Sequence, residues 1–124
     1  MTAVLVDTTV IIDVLRRLPE SLRYIEGLQR KPFVSVISIM ELYSVARSRS
    51  EENRIEHLLA ASEILSVTSN IAKSAGRFTK HYRASHGIDD ADALIAATAE
   101  QHKLPLATLN VKHFPMFPKL RRAY

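Results

Sequence analysis

AVLVDTTVIID, residues 3–13, runs from a β-rich stretch into a helical one across a single acid, Asp7. Ala3–Val6 reads as a short strand that ends at Asp7, and Thr8 or Thr9 can cap a helix over Val10–Arg17. A polar or acidic residue stands at a comparable turn in three other segments: Glu41 in VISIMELYSVA, Asp92 in DADALIAATA and Asn110 in LATLNVKHF. Three of these four residues are carboxylates in apolar text. A bare charge is costly to bury, so each needs a partner, a proton or a cation.

Hydrophobic periodicity extends the map outward. Pro19 opens a helix to about Gln29, Phe33–Val36 is a second strand, and Ser38 starts a helix to about Ser48. Glu51 opens another helix to about Glu63, and Ile64–Val67 is a third strand candidate. Asn70–Ser85 is helical, Gly87 punctuates, Asp89–His102 is an alanine-rich helix, and Pro105–Thr108 is a last short strand. Strands alternating with helices predict a parallel sheet covered on both faces, with the Pro19–Ser62 helices as an arm. In such sheets ligands bind beyond the carboxyl ends of the strands, where Asp7 and Asn110 fall.

The chain has 124 residues, enough for one domain with a real core, and no internal repeat or domain boundary is visible. It contains no cysteine, which excludes disulfides and thiolate chemistry. No apolar run approaches a membrane span and no basic leader opens the sequence, so a cytoplasmic location is expected. The net charge of +4 suits a polyanion such as RNA, or an acidic protein partner, and equally a solvated surface. No Gly-rich phosphate loop is present. An aspartyl-phosphate enzyme would use Asp7, but the usual second acid two residues on is Thr9 here. Of the five histidines only His81 and His86 come near a paired spacing, and they read as surface residues. Tyr24, Tyr43, Phe33 and Phe78 read as core aromatics.

Each candidate has a competing structural role. Asp7 could be an N-cap, although Thr8 and Thr9 are already available for that. Ser38-Ile39-Met40-Glu41 fits the S-x-x-E capping box, and the same spacing would aim Glu41 at a site beyond the strand; local sequence leaves the two open. Asp89 is the expected cap of the alanine-rich helix. Asp92 instead shares a face with Ile95, Ala96 and Ala99, the stripe expected to pack on the sheet, and an acid there calls for a cation. Asn110 could assist a metal or simply make a turn, and Asp13 reads as an exposed acid. Carboxylates converging on one sheet edge would suit Mg²⁺ or Mn²⁺, which prefer oxygen ligands.

Taken together, VDTTVIID, the Ser38–Leu42 segment, DADALIAATA and LATLNVKHF resemble a PIN-domain ribonuclease of the VapC toxin type, over essentially the whole chain. The resemblance implies a three-layer α/β/α sandwich around a short parallel sheet and a Mg²⁺- or Mn²⁺-dependent endoribonuclease. It also implies a homodimer neutralised by a cognate antitoxin. Carried over by residue, the metal-binding acids are Asp7, Glu41 and Asp92, with Thr9 supporting and Asn110 at a fourth position that is often acidic in the broader family. The resemblance therefore favours a site role for Glu41, which capping alone leaves undecided. A catalytically silent PIN scaffold that binds RNA or joins an antitoxin in transcriptional autoregulation is the alternative. Leu42, Tyr43 and Leu58-Leu59 are candidate interface positions.

Overall fold

A computed structural model of the protein describes residues 2–124. In chain order it contains β1 (Leu5–Val6), α1 (Thr8–Leu15), α2 (Pro19–Glu26), β2 (Phe33–Ser35), α3 (Val36–Val45), α4 (Arg49–Ala60), β3 (Glu63–Leu65), α5 (Ser69–His86), α6 (Asp90–Gln101) and β4 (Leu106–Ala107). A single 3₁₀ turn, Val111–His113, follows β4. The strands form one parallel sheet in the order β3-β2-β1-β4, with Leu5 opposite Phe33 on one side and Leu106 on the other. Parallel neighbours need crossover connections, and each connection here carries two helices. The chain builds from β1 out to β3, then returns to set β4 on the other side of β1. The strand order therefore reverses between β1 and β4, and the carboxyl ends of those two strands are where an open α/β sheet holds its ligands.

Side chains alternate across the sheet, as the period of a strand requires. Leu5 and Leu106 pack with Ile95, Ala96, Ala99 and Phe114 on one face. Val6 and Ala107 pack with Val10, Ile11, Val34, Leu42 and Ile55 on the other. The result is the α/β/α sandwich expected from the alternation of elements. The α2–α4 arm lies on the second face, where Ile55 is 2% exposed and Tyr24, Ile25, Leu58 and Leu59 pack against the same core. Helix α6 is apolar on nearly every side because it is covered twice: Ile95, Ala96 and Ala99 meet the sheet, while Ala93 and Ala97 meet Ile71 and Ala75 of α5.

Several boundaries differ from the sequence reading for local reasons. Helix α1 begins at Thr8, so Thr8 and Thr9 are helical residues and Asp7 occupies the N-cap position. The Ser38–Glu41 capping box does not form. Ser35 caps α3 instead, its hydroxyl accepting from the Ile37 amide at 3.0 Å, and Ser38 and Glu41 lie inside the helix. Ser48 caps α4 through the Glu51 amide, so Glu51 sits within the first turn. Strand β3 starts one residue before the expected Ile64 and ends at Leu65. Gly87 closes α5 in the left-handed region at φ 62°, where glycine has no Cβ to strain. Leu42 is a core residue with 0% exposure and cannot serve an interface.

Leu5 occupies the central strand and is fully buried. Leu5→Ala is expected to lower the unfolding free energy by about 2–5 kcal/mol, the usual cost of a core leucine cavity, read as a lower urea midpoint at unchanged slope.

Candidate active site

The switch between β1 and β4 brings together residues far apart in the chain. Asp7, at the end of β1, is 3% exposed. Its Oδ2 accepts the Thr108 hydroxyl at 2.7 Å and the Thr9 hydroxyl at 2.9 Å. Each threonine also accepts a backbone amide from the segment after β4: Asn110 to Thr108 at 3.0 Å and Leu109 to Thr9 at 3.2 Å. Although it sits at the N-cap, Asp7 makes no side-chain capping bond. Its carboxylate is held instead by one hydroxyl from the first turn of α1 and one from the residue after β4.

Glu41 reaches the same edge from α3. Thr8 donates its hydroxyl proton to Glu41 Oε1 at 2.6 Å and meets the Ser38 hydroxyl at 2.7 Å. Thr8 has one proton to give, so Ser38 is the donor in the second contact. Ser38 is 0% exposed, and the chain Ser38–Thr8–Glu41 ties α3 to α1. The residues that fit a capping box therefore serve the position of Glu41.

Asp92 arrives on the first turn of α6. Asp89 caps that helix, as expected, accepting the Asp92 amide at 2.8 Å. The Asp92 side chain, 15% exposed, contacts Nδ1 of His113 through Oδ2 at 3.1 Å. The same ring nitrogen lies 2.7 Å from Asn110 Nδ2, so Asn110 joins the group through His113. Two expectations need correction or extension. Asp13 is half-buried rather than exposed and accepts the Tyr124 hydroxyl at 2.6 Å. His113, which lacks zinc-ligand spacing in the sequence, belongs to the site; its place three residues after Asn110 in LNVKHF brings it to that residue, but nothing local marks its contact with Asp92.

Burial raises the pKa of all three acids. For Asp7 desolvation outweighs the hydroxyl donors that pull it down. Burial is also the largest influence on Glu41, opposed by the Thr8 hydroxyl and reinforced by the charges of Asp7 and Asp89. Asp92 is pushed up to about 6, by burial first and by Asp89 next, with His113 opposing and Asp7 adding. Among the described residues no three His, Asp or Glu side chains close on one point. Their oxygens repel one another, and a divalent cation is what would draw them together. An oxygen-only set of acids, Asp7 buried and Glu41 and Asp92 partly so, each held above its ordinary pKa, fits Mg²⁺ or Mn²⁺ rather than a soft metal.

A family description, PIN domain, matches residues 4–118. The chain belongs to the PIN-domain family. Ribonuclease VapC19 of Mycobacterium tuberculosis is 39% identical over 123 residues, 97% of this chain and 98% of the relative. Ribonuclease VapC10 of the same organism is 40% identical over 121 residues, 95% of this chain and 90% of the relative. A solved toxin–antitoxin complex from Klebsiella pneumoniae contains a chain that superposes with a TM-score of 0.83 at 28% identity, covering 98% of both chains. The switch-point acids of this PIN domain thus stand on the sheet edge that the fold makes available for ligands.

Two outcomes follow from the geometry. Thr8→Val keeps the shape but strands Glu41 Oε1 and the Ser38 hydroxyl; the unfolding free energy should drop by about 1–3 kcal/mol in chemical denaturation. The second concerns pH. An acid whose folded pKa lies above its unfolded value binds more protons folded than unfolded between the two, so its contribution to stability falls as pH rises through that window. For Asp92 the window runs from 3.8 to about 6. In metal-free protein the melting temperature should therefore fall across it, and Asp92→Asn should flatten the fall; an unchanged profile would count against the burial of this acid.

Proposed function

We propose that this PIN domain is a metal-dependent endoribonuclease and the toxin of a toxin–antitoxin pair. The observation that carries the reading is Asp7, buried at the β1/β4 switch with its carboxylate aimed by Thr9 and Thr108, and raised in pKa along with Glu41 and Asp92. The names of the relatives, both ribonucleases, and the toxin–antitoxin complex that shares its shape support the same reading.

Asp7, Glu41 and Asp92 would hold Mg²⁺, with Mn²⁺ as a substitute, and Asn110 would assist with a neutral amide. Bound there, the ion supplies Lewis acidity toward a phosphate oxygen and lowers the pKa of a water. The protein's own part is to hold and orient. Thr9 and Thr108 fix Asp7, and Thr8 fixes Oε1 of Glu41. That leaves Oε2 of Glu41 free of the Thr8 bond, to serve the ion or to take the proton of the attacking water. Water adds to the phosphorus, one P–O bond of the RNA backbone breaks, and the proton given up by the water passes to the leaving oxygen. The positive balance of the chain, +4, favours the RNA backbone without reading its sequence.

The antitoxin needs a surface of its own. A cavity of about 470 Å³ opens between α1, α3 and α4, and none of the three acids lines it. Ile12, Leu15, Val45 and Ala46 offer apolar surface above the buried Leu42 and Ile55, with Arg16, Arg17, Arg47 and Arg54 and a single acid, Glu51, around it. Such a groove suits a partner segment with apolar and acidic side chains. Pairing of two copies is part of the same proposal, as is action in the cytoplasm; among the described residues no helix is long and apolar enough to cross a membrane.

The test is cleavage of total cellular RNA by purified, antitoxin-free protein with Mg²⁺. Asp7→Asn should remain folded and lose activity by more than about 100-fold, beyond the cost of removing a residue that only supports a metal ligand. A folded and active variant would defeat the assignment. RNA bound without metal and left uncut would instead favour a catalytically silent scaffold.

A further inference from the structure

We propose that His113 is a positioning residue that fixes the Asp92 carboxylate for metal binding, as Thr9 and Thr108 fix Asp7 and Thr8 fixes Glu41. This rests on the metal-site reading above and extends it to a residue on the turn after β4.

Each acid of the site has its own donor. Two hydroxyls hold Asp7 and one holds Glu41. For Asp92 the corresponding side chain, among the described residues, is His113 at 3.1 Å. The Asp92 backbone is fixed separately by Asp89, so without His113 the main chain would stay in place and the carboxylate would be free to rotate.

The histidine is itself well placed to act as a fixed point. It ends the Val111–His113 turn, whose bonds run from the His113 amide to the Asn110 carbonyl at 3.0 Å and from the Phe114 amide to the Val111 carbonyl at 3.0 Å. Phe114, 1% exposed, is buried against Leu5, Leu106 and the inward stripe of α6. The same helix that carries Asp92 therefore anchors the turn that carries His113.

The proton arrangement follows from charge. A lone pair on Nδ1 would face a carboxylate, so Asp92 selects the tautomer with hydrogen on Nδ1. With the Asn110 amide turned so that its oxygen faces the ring, the one Nδ1 hydrogen is shared in a three-centre bond between Asn110 at 2.7 Å and Asp92 at 3.1 Å. The His113 side chain is 32% exposed, so shortening it leaves the core intact.

The experiment is calorimetric titration of Mn²⁺ into metal-free wild type, His113→Ala, His113→Asn and His113→Gln, with a thermal melt of each. The Asn amide reaches the place of Nδ1, and the Gln amide the place of Nε2. His113→Ala should weaken Mn²⁺ binding by about 10–100-fold, His113→Asn should recover most of it, and His113→Gln should not. Unchanged affinity in His113→Ala, or equal recovery by Gln and Asn, would overturn the positioning role while leaving the metal site standing. A lower melting temperature with unchanged affinity would also overturn it, as the mark of a purely structural residue. A folded wild type without Mn²⁺ affinity would overturn the functional reading and this inference with it.

Discussion

A carboxylate with 3% exposure is the constraint around which this molecule is arranged. Asp7 cannot be left bare in that position, and the surrounding structure supplies what it needs. Thr9 comes from the helix that follows β1, and Thr108 from the end of a strand about a hundred residues later. Those two hydroxyls do more than satisfy an anion. They also take backbone amides from Leu109 and Asn110, so the bonds that hold the acid stitch the β1 and β4 ends together. Fold and site share one set of contacts there.

The other two acids reach the edge on helices, and each brings a rigid reason for being there. Ser35 starts α3 at the end of β2, which sets Glu41 in the second turn, where Thr8 can reach it. Asp89 starts α6 and leaves Asp92 in its first turn, on the stripe that packs against the sheet. Near one another and partly out of water, the three carboxyls are all raised in pKa. That is an energetic cost to the metal-free protein, and one a divalent cation would relieve. The stability given up at the sheet edge is offset by ordinary apolar packing on both faces, where α6 is enclosed on two sides.

Much of this arrangement is legible in the amino-acid sequence. The alternation of strand and helix and the order of elements follow from hydrophobic period. Asp7 and Asp92 stand out because acids in apolar text are rare. The capping of α6 by Asp89 follows from local rules. Glu41 does not, because Ser38 offers it a local role; the real cap is Ser35, three residues earlier, and Ser38 turns to Thr8 across the fold. Asp13 reads as exposed because its partner, Tyr124, is 111 residues away. His113 escapes a reading by spacing for a related reason: its importance lies in a contact with Asp92 that distance along the chain does not reveal. These cases share one cause. They are pairings between distant segments, and periodicity describes only one segment at a time.

The central claim is that Asp7, Glu41 and Asp92 serve a single divalent ion. Its most direct test is a crystal of the antitoxin-free protein grown with Mn²⁺ and measured for anomalous scattering. The account predicts an anomalous peak ligated by oxygens of these three residues, beside Asn110. A well-ordered site with no peak, or a peak held elsewhere, would contradict it.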